Sequence, residues 1–367
     1  MLRRSLAIFL VIPWMAAVVA ADDAARYHVG ETGRLFHPAV VRHWRGAATE
    51  GLVTRIWYPV DASVPEAVHD IGPPGHPIVR GHPVAIDAAL SPAQARYPLL
   101  LLSHGTGGSA DSLDWLGAGL AAAGYVVAGA NHPGNTALEP LTREGFMLWW
   151  ERATDLSEVL DGMLADPVLG SHIDRERIGA VGFSLGGYTV LELAGARTNV
   201  QAFRDFCNSP SADAICHPPE MDRLKGATAT PAALSPQTTA SLARAGASYR
   251  DQRIRASFAI APALGEAFDA SSFADIEIPV ALLAGTSDST APVETNIRRI
   301  AGFLPKADVT MLPGASHYTF LDTCLPDAAD VRADLCRDNP GIDRDAVHAE
   351  TIERARAFFA ATLPARE

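Results

Sequence analysis

Apolar runs and amphipathic segments alternate along most of the chain. Seven runs are rich in β-branched and other apolar residues, as expected for strands buried on both faces of a parallel sheet. They begin at Leu52, Tyr97, Gly124, Arg177, Ile254, Ile278 and Ala307. The segments "SLDWLGAGLAAA", "ERATDLSEVLDGML" and "RDAVHAETIERARAFFAATL" have the charged and apolar faces of helices. This alternation predicts one doubly wound α/β domain with a mostly parallel sheet.

Two segments interrupt the alternation. Residues 61–96 are rich in Pro and Gly, which indicates a long surface excursion. Residues 200–253 carry many Ala, Ser, Thr and Pro residues and are too long for a plain connection between strands. We expect residues 200–253 to form a cap or lid inserted over the sheet. A loop packed at the side of the sheet is the alternative.

The N-terminus has the layout of a secretory signal peptide. Two arginines precede an apolar stretch over residues 6–19, and small residues follow it. The stretch is short for a membrane span, and Pro13 interrupts it. We therefore expect residues 1–21 to be a cleaved signal and residues 22–367 to be the mature domain. This predicts a periplasmic or secreted protein with no stable membrane anchor after cleavage, and an uncleaved anchor is the alternative.

Composition and charge limit the class of partner. Of the 367 residues, 48% are hydrophobic and 20% are charged, which is a globular balance. The net charge of −12 comes with no basic cluster. That argues against a nucleic-acid partner and against electrostatic binding to anionic lipid.

The four cysteines form two pairs that are close in sequence. In an oxidising compartment we expect the local disulfides Cys207–Cys216 and Cys324–Cys336, although four cysteines allow three pairings. Neither pair lies in a CxxC or His-rich setting, so a zinc site is a poor alternative.

A serine between glycines provides the most specific chemical signal. Residues 182–186, "GFSLG", fit G-x-S-x-G, with a predicted strand before them and a predicted helix after them. Such a sharp turn exposes the serine oxygen at the carboxyl end of the sheet, so Ser184 is the candidate nucleophile. The amide of Leu185 then lies at a helix N-terminus, where it can donate to an oxyanion. The alternative is a merely tight glycine turn.

A serine hydroxyl needs a base, and the base needs an orienting acid. "LLAGTSDSTAP" offers Asp288 after a predicted strand, and "LPGASHYTF" offers His317 after the next one. The order Ser184, Asp288, His317 is the one expected for a triad in this kind of fold. For Asp288 the alternative is an Asx-turn. Beyond the acid strand only His348 competes with His317, and it falls within the predicted last helix.

The loop "SHGTGG" supplies small residues near the same sheet edge. The Thr106 amide is the candidate second oxyanion donor, whereas we expect His104 to be structural. His132 either lines the pocket or stabilises a turn. Trp149 and Trp150 are expected to be packing residues, with the wall of an acyl site as an alternative for one of them.

Together these residues predict acyl transfer on a small-molecule or lipid ester, with short to medium acyl groups. No metal motif, phosphate loop or dinucleotide fingerprint is present in the sequence, so we expect neither a cofactor nor a metal. A peptidase, amidase or thioesterase on the same fold is the main alternative. A non-catalytic binding protein is another. The sequence leaves the oligomeric state open.

Several motifs together resemble a known group. They are "TRIWYP", "SHGTGG", "NHPGN", "ERATDLSEVLDGML", "DRERIGAVGFSLGGYTVLELAGAR", "GTSDSTAP" and "GASHYTFLD". The chain resembles predicted dienelactone hydrolases, which are akin to the platelet-activating factor acetylhydrolase family. The resemblance implies an α/β-hydrolase fold, serine esterase activity and no cofactor. It places Ser184, Asp288 and His317 at the triad positions and Thr106 with Leu185 at the oxyanion positions. Dienelactone hydrolases proper have a cysteine where this chain has Ser184.

Overall fold

The computed structural model describes residues 27–225 and 233–365. The predicted signal peptide, residues 1–21, lies outside the described residues. Within the two described ranges, no helix is both long enough and apolar enough to cross a membrane.

The described residues form a sheet of ten strands and a separate two-stranded ribbon. The strands are β1 (His28–Phe36), β2 (Leu52–Val60), β3 (Ala67–Val68), β4 (Pro83–Ile86), β5 (Tyr97–Ser103), β6 (Val126–Ala130), β7 (Ile173–Phe183), β8 (Arg197–Thr198), β9 (Ala256–Ile260), β10 (Phe268–Asp269), β11 (Val280–Gly285) and β12 (Asp308–Leu312). The sheet order is β12-β11-β9-β7-β5-β6-β2-β1-β4-β3, and β8 pairs with β10.

Six neighbouring strands, from β12 to β6 in that order, run parallel. All seven strands predicted from apolar runs are present, and the mostly parallel sheet is confirmed. In β5, β6, β9 and β11 every residue is buried, because these strands are covered on both faces. Strand β1 is not predicted from the sequence, because its two glycines and its charged residues give no apolar run. It forms by antiparallel pairing with β2 along nine residues.

Helices cover both faces of the sheet. They are α1 (Asp114–Ala122), α2 (Arg143–Met147), α3 (Glu151–Ala165), α4 (Leu185–Ala194), α5 (Val200–Cys207), α6 (Glu220–Lys225), α7 (Pro236–Ala243), α8 (Ile297–Phe303), α9 (Pro326–Val331), α10 (Ala333–Cys336) and α11 (Arg344–Thr362). Ser257 of β9 donates to the Val190 carbonyl in α4, whereas the next residue, Phe258, contacts Phe358 of α11. Because successive strand residues point to opposite faces, α4 and α11 lie on opposite sides of the sheet.

Two disulfides join segments that lie outside the sheet. Cys207 at the end of α5 is bonded to Cys216, and Cys324 is bonded to Cys336 at the end of α10. These are the two local pairs expected from the sequence.

The Pro- and Gly-rich segment folds back against the second disulfide. Ile71 and Val79 form a bridge that closes a short hairpin, and Val79 also bridges to Cys324. The Leu325 amide donates to the Ile78 carbonyl over 2.8 Å. The hairpin and the segment of the second disulfide are therefore joined by backbone contacts.

Candidate active site

Ser184 occupies a strained turn between β7 and α4. Its φ of 57° and ψ of −120° lie in a region that non-glycine residues rarely adopt. Gly186 is needed because a Cβ there would lie 1.9 Å from the Ser103 carbonyl oxygen. A Cβ on Gly182 would lie 2.2 Å from the Gly186 carbonyl oxygen. The two glycines permit the close packing that holds the serine oxygen at the carboxyl end of β7.

The structure brings Ser184, His317 and Asp288 together in one hydrogen-bonded line. His317 Nε2 lies 2.9 Å from Ser184 Oγ, and His317 Nδ1 lies 2.7 Å from Asp288 Oδ2. The three residues are 8%, 3% and 6% exposed, respectively.

Asp288 is held by its own loop. Its Oδ1 accepts from the amides of Thr290 and Ala291 over 3.0 and 2.8 Å. The carboxylate therefore turns Oδ2 toward His317, where Nδ1–H donates to it. In this tautomer Nε2 is free to accept the hydroxyl proton of Ser184.

Thr106 and Leu185, whose amides are the oxyanion donors predicted from the sequence, line the cavity that contains Ser184. A Cβ on Gly105 would lie 3.1 Å from Ser184 Cβ, so the loop before Thr106 packs directly against the serine. In the two described ranges neither amide has a protein acceptor within hydrogen-bonding distance. This arrangement suits two donors that serve a carbonyl oxygen of a substrate.

His104 and His132 belong to the support of the loop and do not line the cavity. His104 Nδ1 lies 2.6 Å from the Gly105 carbonyl oxygen, and His132 Nε2 lies 2.9 Å from Ser103 Oγ. Burial, together with the charge of Arg152, lowers the pKa of His132 to about 3 and holds the pKa of His104 well below its usual value. Both rings are therefore neutral near pH 7. For His104 this is the structural role expected from the sequence. His132 also has a structural role and does not line the pocket, which was its other alternative.

An apolar cavity of about 800 Å³ opens onto Ser184 and His317. Besides the triad and the residues next to it, its wall includes residues from the ranges 71–79, 105–112, 137–149, 203–221, 263–264 and 318–336. Residues 71–79, predicted as part of a surface excursion, thus contribute to the cavity wall. Their sequence gives no sign of this, because the contact depends on the bridge to Cys324.

The predicted cap over residues 200–253 is only partly at the cavity. Residues 203–221 contribute to its wall, but no described residue from 233 to 253 lines it. Helix α7 instead contacts the start of α3, where Ser241 Oγ accepts from Trp150 Nε1 over 3.0 Å and donates to Glu151. Trp150 is a fully buried packing residue, whereas Trp149 lines the cavity and meets the Phe203 ring edge-on at 5.7 Å.

Comparison with known proteins identifies the family. The family model described as "Alpha/beta hydrolase family" matches residues 99–333. The chain belongs to this family. A solved structure of a ferulic acid esterase from Streptomyces cinnamoneus superposes with a TM-score of 0.59 over 95% of this chain and 93% of that one. At 20% sequence identity, this likeness shows the shared α/β-hydrolase fold.

Two curated relatives match shorter parts of this alpha/beta hydrolase. Lipase 1 of Moraxella sp. (strain TA144) is 38% identical over 92 residues, which are 25% of this chain and 26% of the relative. Cutinase est2 of Thermobifida alba is 32% identical over 108 residues, which are 29% of this chain and 33% of the relative. The matched parts span about a quarter to a third of the length of these relatives.

Sequence reasoning missed the residues that hold the loop over residues 103–110 of this alpha/beta hydrolase. Asn135 Oδ1 accepts from the Gly107 amide over 2.7 Å, and Asn131 Oδ1 accepts from the Ala110 amide over 3.1 Å. Arg152 of α3 donates to the same loop. The motifs "NHPGN" and "ERATD" signalled these residues, but a motif without a contact map does not show what it supports.

Proposed function

We propose that this alpha/beta hydrolase is a serine carboxylic-ester hydrolase that works through an acyl-enzyme. The observation that carries the proposal is the hydrogen-bonded line from Asp288 through His317 to Ser184, at the edge of a large apolar cavity. The names of the two curated relatives, a lipase and a cutinase, support an ester as the substrate.

In the proposed mechanism Ser184 Oγ attacks the ester carbonyl while His317 Nε2 takes its proton. The amides of Thr106 and Leu185 stabilise the oxyanion that develops. His317 then protonates the leaving alcohol, which must therefore leave on the His317 side of the serine. Water activated by His317 attacks the acyl-enzyme and releases the acid. Asp288 keeps the imidazole in its working tautomer throughout.

The cavity walls support an apolar substrate. The cavity volume of about 800 Å³ lies within the range of pockets that enclose whole small-molecule ligands. Trp149 and Phe203 both line the cavity and provide aromatic surface for an acyl group. We propose short to medium acyl esters as substrates. The closer resemblance to predicted dienelactone hydrolases and the acetylhydrolases remains a prediction.

We further propose that the mature protein is exported as a single domain, residues 22–367, to the periplasm or the medium. Two disulfides support an oxidising compartment. In this view residues 203–221, within the predicted cap over 200–253, form one wall over the site.

The test is hydrolysis of p-nitrophenyl esters from acetyl to palmitoyl by wild type and Ser184→Ala. We expect activity that peaks at short to medium chains and is lost in Ser184→Ala. Ser63→Ala, which changes an exposed loop serine, is the matched control and should keep wild-type rates. Full ester hydrolysis by Ser184→Ala would overturn the proposal, and faster cleavage of matched anilides than of esters would favour an amidase.

A further inference from the structure

The two backbone carbonyls that precede the Thr106 amide, those of His104 and Gly105, are each held by a buried side chain. His104 Nδ1 lies 2.6 Å from the Gly105 oxygen, and Nε2 accepts from the His132 amide over 3.3 Å. Since Nε2 is an acceptor, the ring proton is on Nδ1, which donates to Gly105. The His104 carbonyl in turn accepts from Arg152 Nη2. The His104 ring and the Arg152 guanidinium thus set the orientation of the peptide units before Thr106.

Arg152 lies at the end of a chain of hydrogen bonds, and the donor and acceptor of each bond can be assigned. The Asp155 carboxylate can only accept, so His132 Nδ1–H donates to it over 3.1 Å. Neutral His132 then accepts at Nε2 from the Ser103 hydroxyl over 2.9 Å. Ser103 Oγ in turn accepts from Arg152 Nη2 over 3.3 Å. One nitrogen of Arg152 therefore connects this chain to residues 103–110, which we call the oxyanion loop.

Arg152 is not needed to neutralise the buried acid. Asp155 also pairs with Arg42 and Arg45, each at 2.9 Å. Arg152 is 1% exposed, and its Nε and Nη1 have no hydrogen-bond partner in the part of the chain that the structure describes. A buried guanidinium with so few partners is costly to keep for stability alone. Its main polar contacts are the His104 carbonyl and Ser103 Oγ, both at the start of the loop.

We propose that Arg152 is a positioning residue for the oxyanion loop. Its guanidinium fixes the His104 carbonyl and thereby aims the Thr106 amide at the substrate oxygen. The inference rests on the proposed esterase function and adds a residue that touches neither substrate nor triad. Because removing one oxyanion donor costs on the order of 100- to 1,000-fold in kcat, a misaimed donor should cost somewhat less.

The test compares Arg152→Met and Arg152→Lys with wild type in ester hydrolysis. We expect Arg152→Met to lower kcat by about 10- to 100-fold while KM stays within about twofold. Arg152→Lys, which keeps one charged donor, should recover part of the loss. Affinity for a phenylboronic acid, whose tetrahedral adduct places an oxygen in the oxyanion site, should fall in parallel with kcat. Arg42→Lys is the matched control, because Arg42 contacts Asp155 and Glu158 but not the loop.

Wild-type kcat in folded Arg152→Met, or a loss no greater than that of Arg42→Lys, would overturn the inference. If Arg152→Met does not fold, the comparison of Arg152→Lys with Arg42→Lys decides, and equal kcat values overturn it. A wild type that is no more active than Ser184→Ala would instead refute the proposed function, so the two failures are distinguishable.

Discussion

Glu192 allows a quantitative test of how the core behind Ser184 is built. It lies in α4, the helix that begins directly after the serine, and it is fully buried. Oε1 accepts from Thr198 Oγ1 over 2.7 Å, whereas Oε2 has no partner among the residues described. Burial raises the pKa of this carboxyl from 4.5 to about 8, and the Thr198 hydrogen bond and the charge of Arg152 oppose this rise only in part. The native protein therefore keeps Glu192 protonated at neutral pH.

The sign of the pH dependence follows from this pKa. The unfolded chain releases the proton near pH 4.5, but the folded chain holds it up to about pH 8. The folded state binds more protons in this window, so the free energy of unfolding falls as the pH rises through it. At about 1.4 kcal/mol for each pH unit, the loss amounts to roughly 3 to 5 kcal/mol by pH 8. Above that pH the contribution of Glu192 is constant.

Glu192→Gln should remove this dependence, because an amide does not ionise and keeps the acceptor for Thr198. Urea unfolding of both proteins at intervals from pH 5 to pH 9 measures the difference. We expect similar stability at pH 5 and a variant more stable than wild type above pH 8. Glu294→Gln changes a carboxylate that is 76% exposed and should follow wild type throughout. Equal pH slopes for wild type and Glu192→Gln would refute the reasoning.

Three further predictions concern the triad, the turn between β7 and α4, and a disulfide. Asp288→Asn should lower kcat by about 10³- to 10⁴-fold with little change in KM, because the wrong imidazole tautomer is favoured; steady-state kinetics showing a tenth or more of wild-type kcat would contradict this. Gly186→Ala should destabilise the fold by several kcal/mol, since its Cβ would lie 1.9 Å from a backbone oxygen. Gly302→Ala, in open space on α8, should raise the melting temperature slightly or leave it unchanged, so equal melting temperatures for the two variants would count against the packing argument. Replacing Cys207 and Cys216 together by serine should lower the free energy of unfolding by about 3 kcal/mol in denaturant titration, and no change would mean that the bridge does not constrain the unfolded chain.

The sequence predicts the strand and helix core well, because buried parallel strands are continuous apolar runs. The run beginning at Tyr97 is an example, since all seven residues of β5 are buried. It also predicts which residues meet at the nucleophile turn, because Ser184 and His317 both follow strands that end at one sheet edge. Strand β1 cannot be predicted in this way, because it forms through its pairing with β2 and its composition gives no strand pattern.

The cavity walls could not be predicted, because they depend on contacts between distant segments. The hairpin at residues 71–79 is held at the site by its bridge to Cys324 and by the hydrogen bond from the Leu325 amide to the Ile78 carbonyl. Arg152 looked like an ordinary helix residue, yet it contacts a loop 48 positions earlier in the chain. Long-range contacts of this kind leave no periodic pattern in the sequence, even where the motif that carries them is recognisable.

The central claim is that Ser184 is a nucleophile activated by His317. Labelling of the folded protein with a fluorophosphonate probe, followed by peptide mapping, tests it most directly. We expect one label per chain, on Ser184, and labelling at least about 100-fold slower in His317→Ala. A label on another serine, or no label on the folded wild type, would contradict it.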